Sequence, residues 1–220
     1  MAPIHTEDFR LADGRALRLT YAEPDGVTRG GLVVLHEARG ITEAVLAIVA
    51  GLAAEGWLIV VPHLYEGGSA EVDHDAARDK VSELSGASVL AATDIAFAWL
   101  AGRKVNLDRI GVIGFELGGA VALVVAASRN IGAAVTVAGG GIIEPLSAGL
   151  PALVEVAQDL RCPWLGLYRT EGDIPADQVE KLRDAASGAQ VASDVVRFAF
   201  ETGGFEAWQR ALNWFDAHLR

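Results

Sequence analysis

An α/β fold, with a mostly parallel sheet covered by helices on both faces, is predicted by three features of the sequence. Apolar runs of strand length alternate with longer segments of helical period along the chain. Several of the helical segments end in glycine, as helix C-termini often do. No internal repeat, low-complexity tract or linker-like change of composition interrupts the alternation.

The expected strands are ALRLTYA (16–22), GLVVLH (31–36), WLIVVP (57–62), RIGVIGF (109–115), AAVTVAG (133–139), PWLGLYR (163–169) and DVVRFAF (194–200). Most are continuous apolar runs, as strands buried on both faces should be. Between them lie amphipathic stretches at 42–56, 88–102, 117–128, 175–187 and 205–219, each long enough to cross back over a sheet. The segment EVDHDAARDK, with Arg78 and Lys80, reads as a solvated face.

At 220 residues, about half of them hydrophobic, the chain has the size of one domain spanning 1–220. The formal net charge of -11 disfavours nucleic acid and anionic membrane surfaces as partners, because both demand a positive face. No stretch is apolar for long enough to span a bilayer, and the opening MAPIHTEDFR lacks a basic segment followed by an apolar one. The single Cys162 fits a reducing compartment and a packed core thiol. The expectation is therefore a cytoplasmic protein, monomer or homodimer, without cofactor or metal, whose partner is a small molecule.

In parallel sheets ligands collect beyond the carboxyl ends of the strands. Those ends carry His36-Glu37-Ala38-Arg39-Gly40, Pro62-His63-Leu64-Tyr65, Gly114 to Gly119, Arg169 to Asp173 and Glu201 to Phe205. The string GFELGG has the glycine spacing of a nucleophile elbow, a strand-to-helix turn too tight for side chains two residues either side of its centre. Its centre is Glu116, where a hydrolase would carry serine or cysteine.

The strings LVVLHEARGIT, VVPHLYEGG, GVIGFELGG, AAVTVAGGGI, PWLGLY followed by IPADQVEKLR, and AWQRALNWFDAHL together resemble the dienelactone hydrolase family, in order and over nearly the whole chain. The resemblance implies an α/β-hydrolase fold without a large cap domain, and hydrolysis of lactones or other carboxylic esters by a Cys or Ser nucleophile, an Asp and a His. Carried over by position, the nucleophile is replaced by Glu116 and the histidine by Gly203, while Glu171 or Gly172 falls at the acid position, with Asp173 beside them. The resemblance also implies an oxyanion hole made by the amides of Ala38 and Leu117, and a carboxylate at Glu37 beside the nucleophile. Arg39, His63 and Tyr65 are further binding candidates from the same strand ends.

A carboxylate can be a nucleophile, but release of the ester it forms needs an activated water, and the histidine is missing. The expected outcome is a degenerate triad in a small-molecule binding or interaction protein. The alternative is an active ester or lactone hydrolase using Glu116, supported by Glu37 or His63. Two local expectations follow. The Glu116 carboxylate could fold back onto the amides of the helix it precedes, and Arg39 could neutralise Glu37 or Glu116.

Overall fold

The structure, a computed structural model, describes residues 2–10, 16–65 and 68–219. Among these, eight strands form one sheet in the order β1-β2-β4-β3-β5-β6-β7-β8. The strands are β1 (Ile4–Arg10), β2 (Ala16–Ala22), β3 (Gly30–Leu35), β4 (Trp57–Pro62), β5 (Ile110–Phe115), β6 (Ala133–Val137), β7 (Trp164–Arg169) and β8 (Ser193–Phe198). β1 and β2 are antiparallel, and every pairing from β4 through β8 is parallel.

The parallel strands divide their side chains between two cores by simple alternation. Val33, Leu35, Leu58 and Val60 face one side of the sheet, with α3 (Gly86–Gly102), α4 (Leu117–Ser128) and α6 (Ala176–Ala186) packed over it. Leu32, Val34, Ile59 and Val61 face the other, under α1 (Glu43–Ala54) and α7 (Phe200–His218). α4 is buried from Leu117 to Ala127, which explains why its sequence is apolar all round rather than striped. Among the described residues no helix is long and apolar enough to cross a membrane.

Three elements are absent from the sequence reading. β1 is a polar edge strand whose alternation is too weak to mark it. α2 (His74–Ser82) buries only Ala77, so its helical period leaves no apolar stripe, and its clearest local signal is Asp73, whose carboxylate accepts from the Ala76 amide at 2.9 Å. α5 (Leu153–Val156) is a single turn.

A further difference bears on function. The loop expected at 201–205 is the first part of α7, and β8 passes into that helix through Ala199 alone. Gly203 therefore stands in helical backbone.

A buried chain of hydrogen bonds fixes α4 on the sheet. The Trp164 indole N–H donates to Thr136 Oγ1 at 2.9 Å, and that hydroxyl donates to the Gly119 carbonyl at 2.8 Å. Thr136→Val keeps the shape and removes the hydroxyl, leaving the indole N–H and a carbonyl buried without partners. The expected loss is about 1–3 kcal/mol of unfolding free energy in urea denaturation, with the slope on denaturant unchanged.

Candidate active site

The turn between β5 and α4 has the geometry the glycines predict. Glu116 sits at φ 50 and ψ -108, a conformation that L-residues avoid and that lifts its side chain out of the end of the sheet. Closure of the turn leaves no room at the flanking positions. A methyl added to Gly114 would lie 1.9 Å from the Gly118 carbonyl oxygen, and one added to Gly118 would lie 2.2 Å from the Leu35 carbonyl oxygen. Two backbone bonds hold the bend, Glu116 N–H to the Val137 carbonyl at 2.9 Å and Ala120 N–H to the Glu116 carbonyl at 3.0 Å.

Glu116 opens onto a cavity of about 620 Å³ at the carboxyl ends of the strands, within the range of small-molecule sites. Ala38, Leu117, Glu171 and Gly172 border it, as do Asp173, Tyr168, Arg169 and Ile174 from β7 and its loop. Three further residues, Arg78, Val81 and Ser82, come from α2, the helix that sequence reasoning missed; the spacing of Arg78 and Val81 on a capped segment is the signal that could have found it. Leu146 adds an apolar side chain to the lining.

The Glu116 carboxyl is held above the usual carboxylate range, first by desolvation against the cavity walls and then by the negative charges of Glu37 and Asp173; the imidazole of His74 opposes this. Glu37 is therefore close enough to act on Glu116 electrostatically, as the sequence suggests, and its Oε1 accepts from the Thr42 hydroxyl at 2.9 Å. Of the candidates at the acid position, Glu171 and Gly172 border the cavity, and their neighbour Asp173 is the one whose charge reaches Glu116.

Several expectations are corrected. Glu116 makes no side-chain capping hydrogen bond to α4, so its carboxylate does not occupy the helix N-terminus. The left-handed turn directs the side chain away from the first-turn amides that a capping residue in extended conformation would reach. Arg39 does not neutralise either glutamate. It forms an ion pair with Glu71, and its Nε donates to the Val72 carbonyl at 3.3 Å while its own carbonyl accepts from Val72 N–H at 2.9 Å. The tight turn closed by Gly40 N–H and the Glu37 carbonyl at 3.0 Å carries Arg39 outward to the segment leading into α2.

His63 is not available as a base. Its Nδ1 accepts from Ser69 N–H at 2.9 Å, so the proton lies on Nε2, which donates to the Thr20 hydroxyl at 2.9 Å. His36, fully buried, is locked the same way: Leu64 N–H donates to its Nε2 at 3.2 Å and its Nδ1–H donates to the Glu37 carbonyl at 2.8 Å. Burial lowers both imidazoles to about 4, helped at His63 by the nearby charges of His36 and Arg18. Tyr65 contributes indirectly, since its hydroxyl donates to the Ala38 carbonyl at 2.6 Å and steadies the loop at the cavity edge. The Cys162 thiol is 1% exposed and pushed up to about 12 by burial, which makes it inert.

Sheet order, elbow and cavity define the α/β-hydrolase fold. Residues 17–219 match the sequence pattern of the dienelactone hydrolase family, and the chain belongs to that family. It is 29% identical over 246 residues to a "putative carboxymethylenebutenolidase" of Salmonella typhi, covering 96% of this chain and 90% of that one. A protein of the same description from Escherichia coli strain K12 is 28% identical over 210 residues, covering 85% and 76%. Among solved structures, a "putative dienelactone hydrolase" from Klebsiella pneumoniae superposes with a TM-score of 0.86 at 27% identity, covering 98% of this chain and all of that one. A dienelactone hydrolase-like promiscuous phosphotriesterase, P91, from metagenomic libraries shares the fold, with a TM-score of 0.81 at 15% identity and full coverage of both chains.

Two outcomes follow from this geometry. Gly118→Ala drives a methyl into the Leu35 carbonyl and should cost more than about 3 kcal/mol in chemical denaturation. The two buried neutral imidazoles take up protons near pH 6.5 when unfolded but only near 4 when folded. Their contribution to stability is therefore complete above about pH 6.5 and is lost as the pH falls toward 4, at up to about 1.4 kcal/mol per pH unit for each ring. Urea titrations at pH 7, 6 and 5 should show a shallower slope in His36→Gln than in the wild type.

Proposed function

We propose that this member of the dienelactone hydrolase family binds a small molecule in the elbow cavity and does not hydrolyse it by a triad. The observation that carries the reading is Glu116 itself, a carboxylate at an intact elbow with no histidine hydrogen-bonded to it among the described residues. Ester hydrolysis through an acyl intermediate needs a nucleophile, a base to take and return its proton, and donors for the oxyanion. His36 and His63 are committed to holding loops, and position 203 is a glycine.

What supports binding is the cavity left behind. Its walls combine apolar groups, Val81, Leu146, Ile174 and Tyr168, with the polar groups of Arg78, Glu116 and Asp173, which suits a small molecule with an apolar body and a polar end. The butenolide in the relatives' names is an unsaturated lactone, and a lactone or related carbonyl compound is the ligand class we assign to this chain.

A panel of lactones, esters and unsaturated ketones should raise the melting temperature of the protein without multiple-turnover ester cleavage above the level of Glu116→Gln. Leu146→Trp, which narrows the cavity at a partly exposed position, should leave the melting temperature of the free protein within a few degrees and weaken that ligand response at least ~10-fold. Steady cleavage of a simple ester such as p-nitrophenyl acetate, abolished in Glu116→Gln, would instead establish a hydrolase.

A further inference from the structure

Glu116 is a poor replacement for a serine nucleophile and a good one for something else. A serine oxygen is one bond from Cβ, whereas the carboxylate oxygens of glutamate are three bonds away. At the same strained elbow position, the reactive oxygen of Glu116 therefore reaches past the place where a serine would meet a carbonyl carbon, to the atom next to it. Leu117 follows directly and opens α4, so its amide belongs to the first turn, whose N–H groups have no partner within the helix. Glu116 makes no capping hydrogen bond to that turn. Ala38, its loop braced by Tyr65, faces the same cavity.

We propose that the site performs proton transfer at the carbon beside a carbonyl: Glu116 is the base, the Leu117 and Ala38 amides hold the carbonyl oxygen, and the substrates are β,γ-unsaturated ketones or lactones. The proposal rests on the small-molecule reading of the cavity given above and adds chemistry to it. The Glu116 carboxylate removes a proton from the α-carbon, and the C–H electron pair moves into the bond to the carbonyl carbon. The carbonyl π pair moves onto oxygen, where the two amides stabilise the enolate. Glu116 then returns the proton to the γ-carbon, the carbonyl re-forms, and the double bond has shifted into conjugation. Nothing else is consumed, and Glu116 ends as it began.

This chemistry explains how the site can turn over without the imidazole at 203, because no covalent ester has to be hydrolysed. The groups that set the basicity of Glu116 come from three places around it. Glu37 on the loop after β3 and Asp173 on the loop after β7 raise it, His74 on α2 opposes them, and desolvation by the cavity walls is the largest influence. Arg78, Arg169 and Glu171 are the other charged groups bordering the cavity. A carboxylate so raised is a stronger base than an ordinary one.

Proton NMR in D2O with cyclohex-3-enone and α-angelica lactone provides the test. The expected result is enzyme-dependent shift of the double bond, with the transferred hydrogen largely retained rather than replaced by deuterium, and a rate reduced at least ~100-fold in Glu116→Gln and at least ~10-fold in Glu116→Asp, which keeps the charge but draws it back. Circular dichroism and melting temperature of both variants should match the wild type. Rates in Glu116→Gln within about threefold of the wild type, or a stable acyl mass added to Glu116, overturn the proposal. Thermal stabilisation by these compounds without the double-bond shift also overturns it while leaving the binding reading intact; neither stabilisation nor double-bond shift across the panel overturns both.

Discussion

The bend at Glu116 is the constraint on which the site depends. Residue 116 is forced into a left-handed conformation because β5 must turn into a wholly buried helix within one residue, and Gly114 and Gly118 let the backbones meet at distances no side chain would allow. The conformation costs free energy, and the packing of α4 against both the sheet and its neighbours offsets it. Whatever residue occupies the centre is then presented at the carboxyl edge of the sheet. The scaffold is therefore indifferent to the chemistry of position 116, and a carboxylate can stand there without disturbing the fold.

Around that bend the polar groups fall into two sets. His36 and His63 are spent on architecture: His36 ties the end of β3 to Leu64 in the loop after β4, His63 ties the loop after β4 at Ser69 to Thr20 of β2, and burial keeps both rings neutral. Glu37 and Asp173 are set close enough to Glu116 for their charges to raise its carboxyl above the usual range. Imidazoles held neutral beside an elbow carboxyl held above its usual range reverse the usual division of labour in a hydrolase.

Much of the fold was legible because burial on both faces writes a continuous apolar run into each parallel strand. WLIVVP coincides with β4 and LGGAVALVVAAS with α4, while the alternating ALRLTYA coincides with the antiparallel β2. The elbow was legible because sterics leave glycine alone at its flanks. The third wall of the cavity was not, since α2 is built from HDAARDKVS, where the period is helical but almost nothing is buried. Arg39 was misread for a related reason: sequence adjacency to Glu37 says nothing about a tight turn that sends the guanidinium to Glu71. The position of Gly203 was found by resemblance to a strand-end loop, whereas here it lies in the first turns of α7.

The attachment of α2 has a consequence for access to the cavity. With Ala77 as its only buried residue, this helix has little core to hold it, and it is moored mainly through the strip before it, by the Arg39 pairing with Glu71 and Val72 and by the bridge between Ile41 and Ala70. Its backbone amides should exchange with solvent well ahead of those in β5 or α4. The cavity is thus bordered on one side by the buried turn into α4 and on another by a helix with little core to hold it, so a bulky guest would gain admission by displacing α2 rather than by deforming the bend.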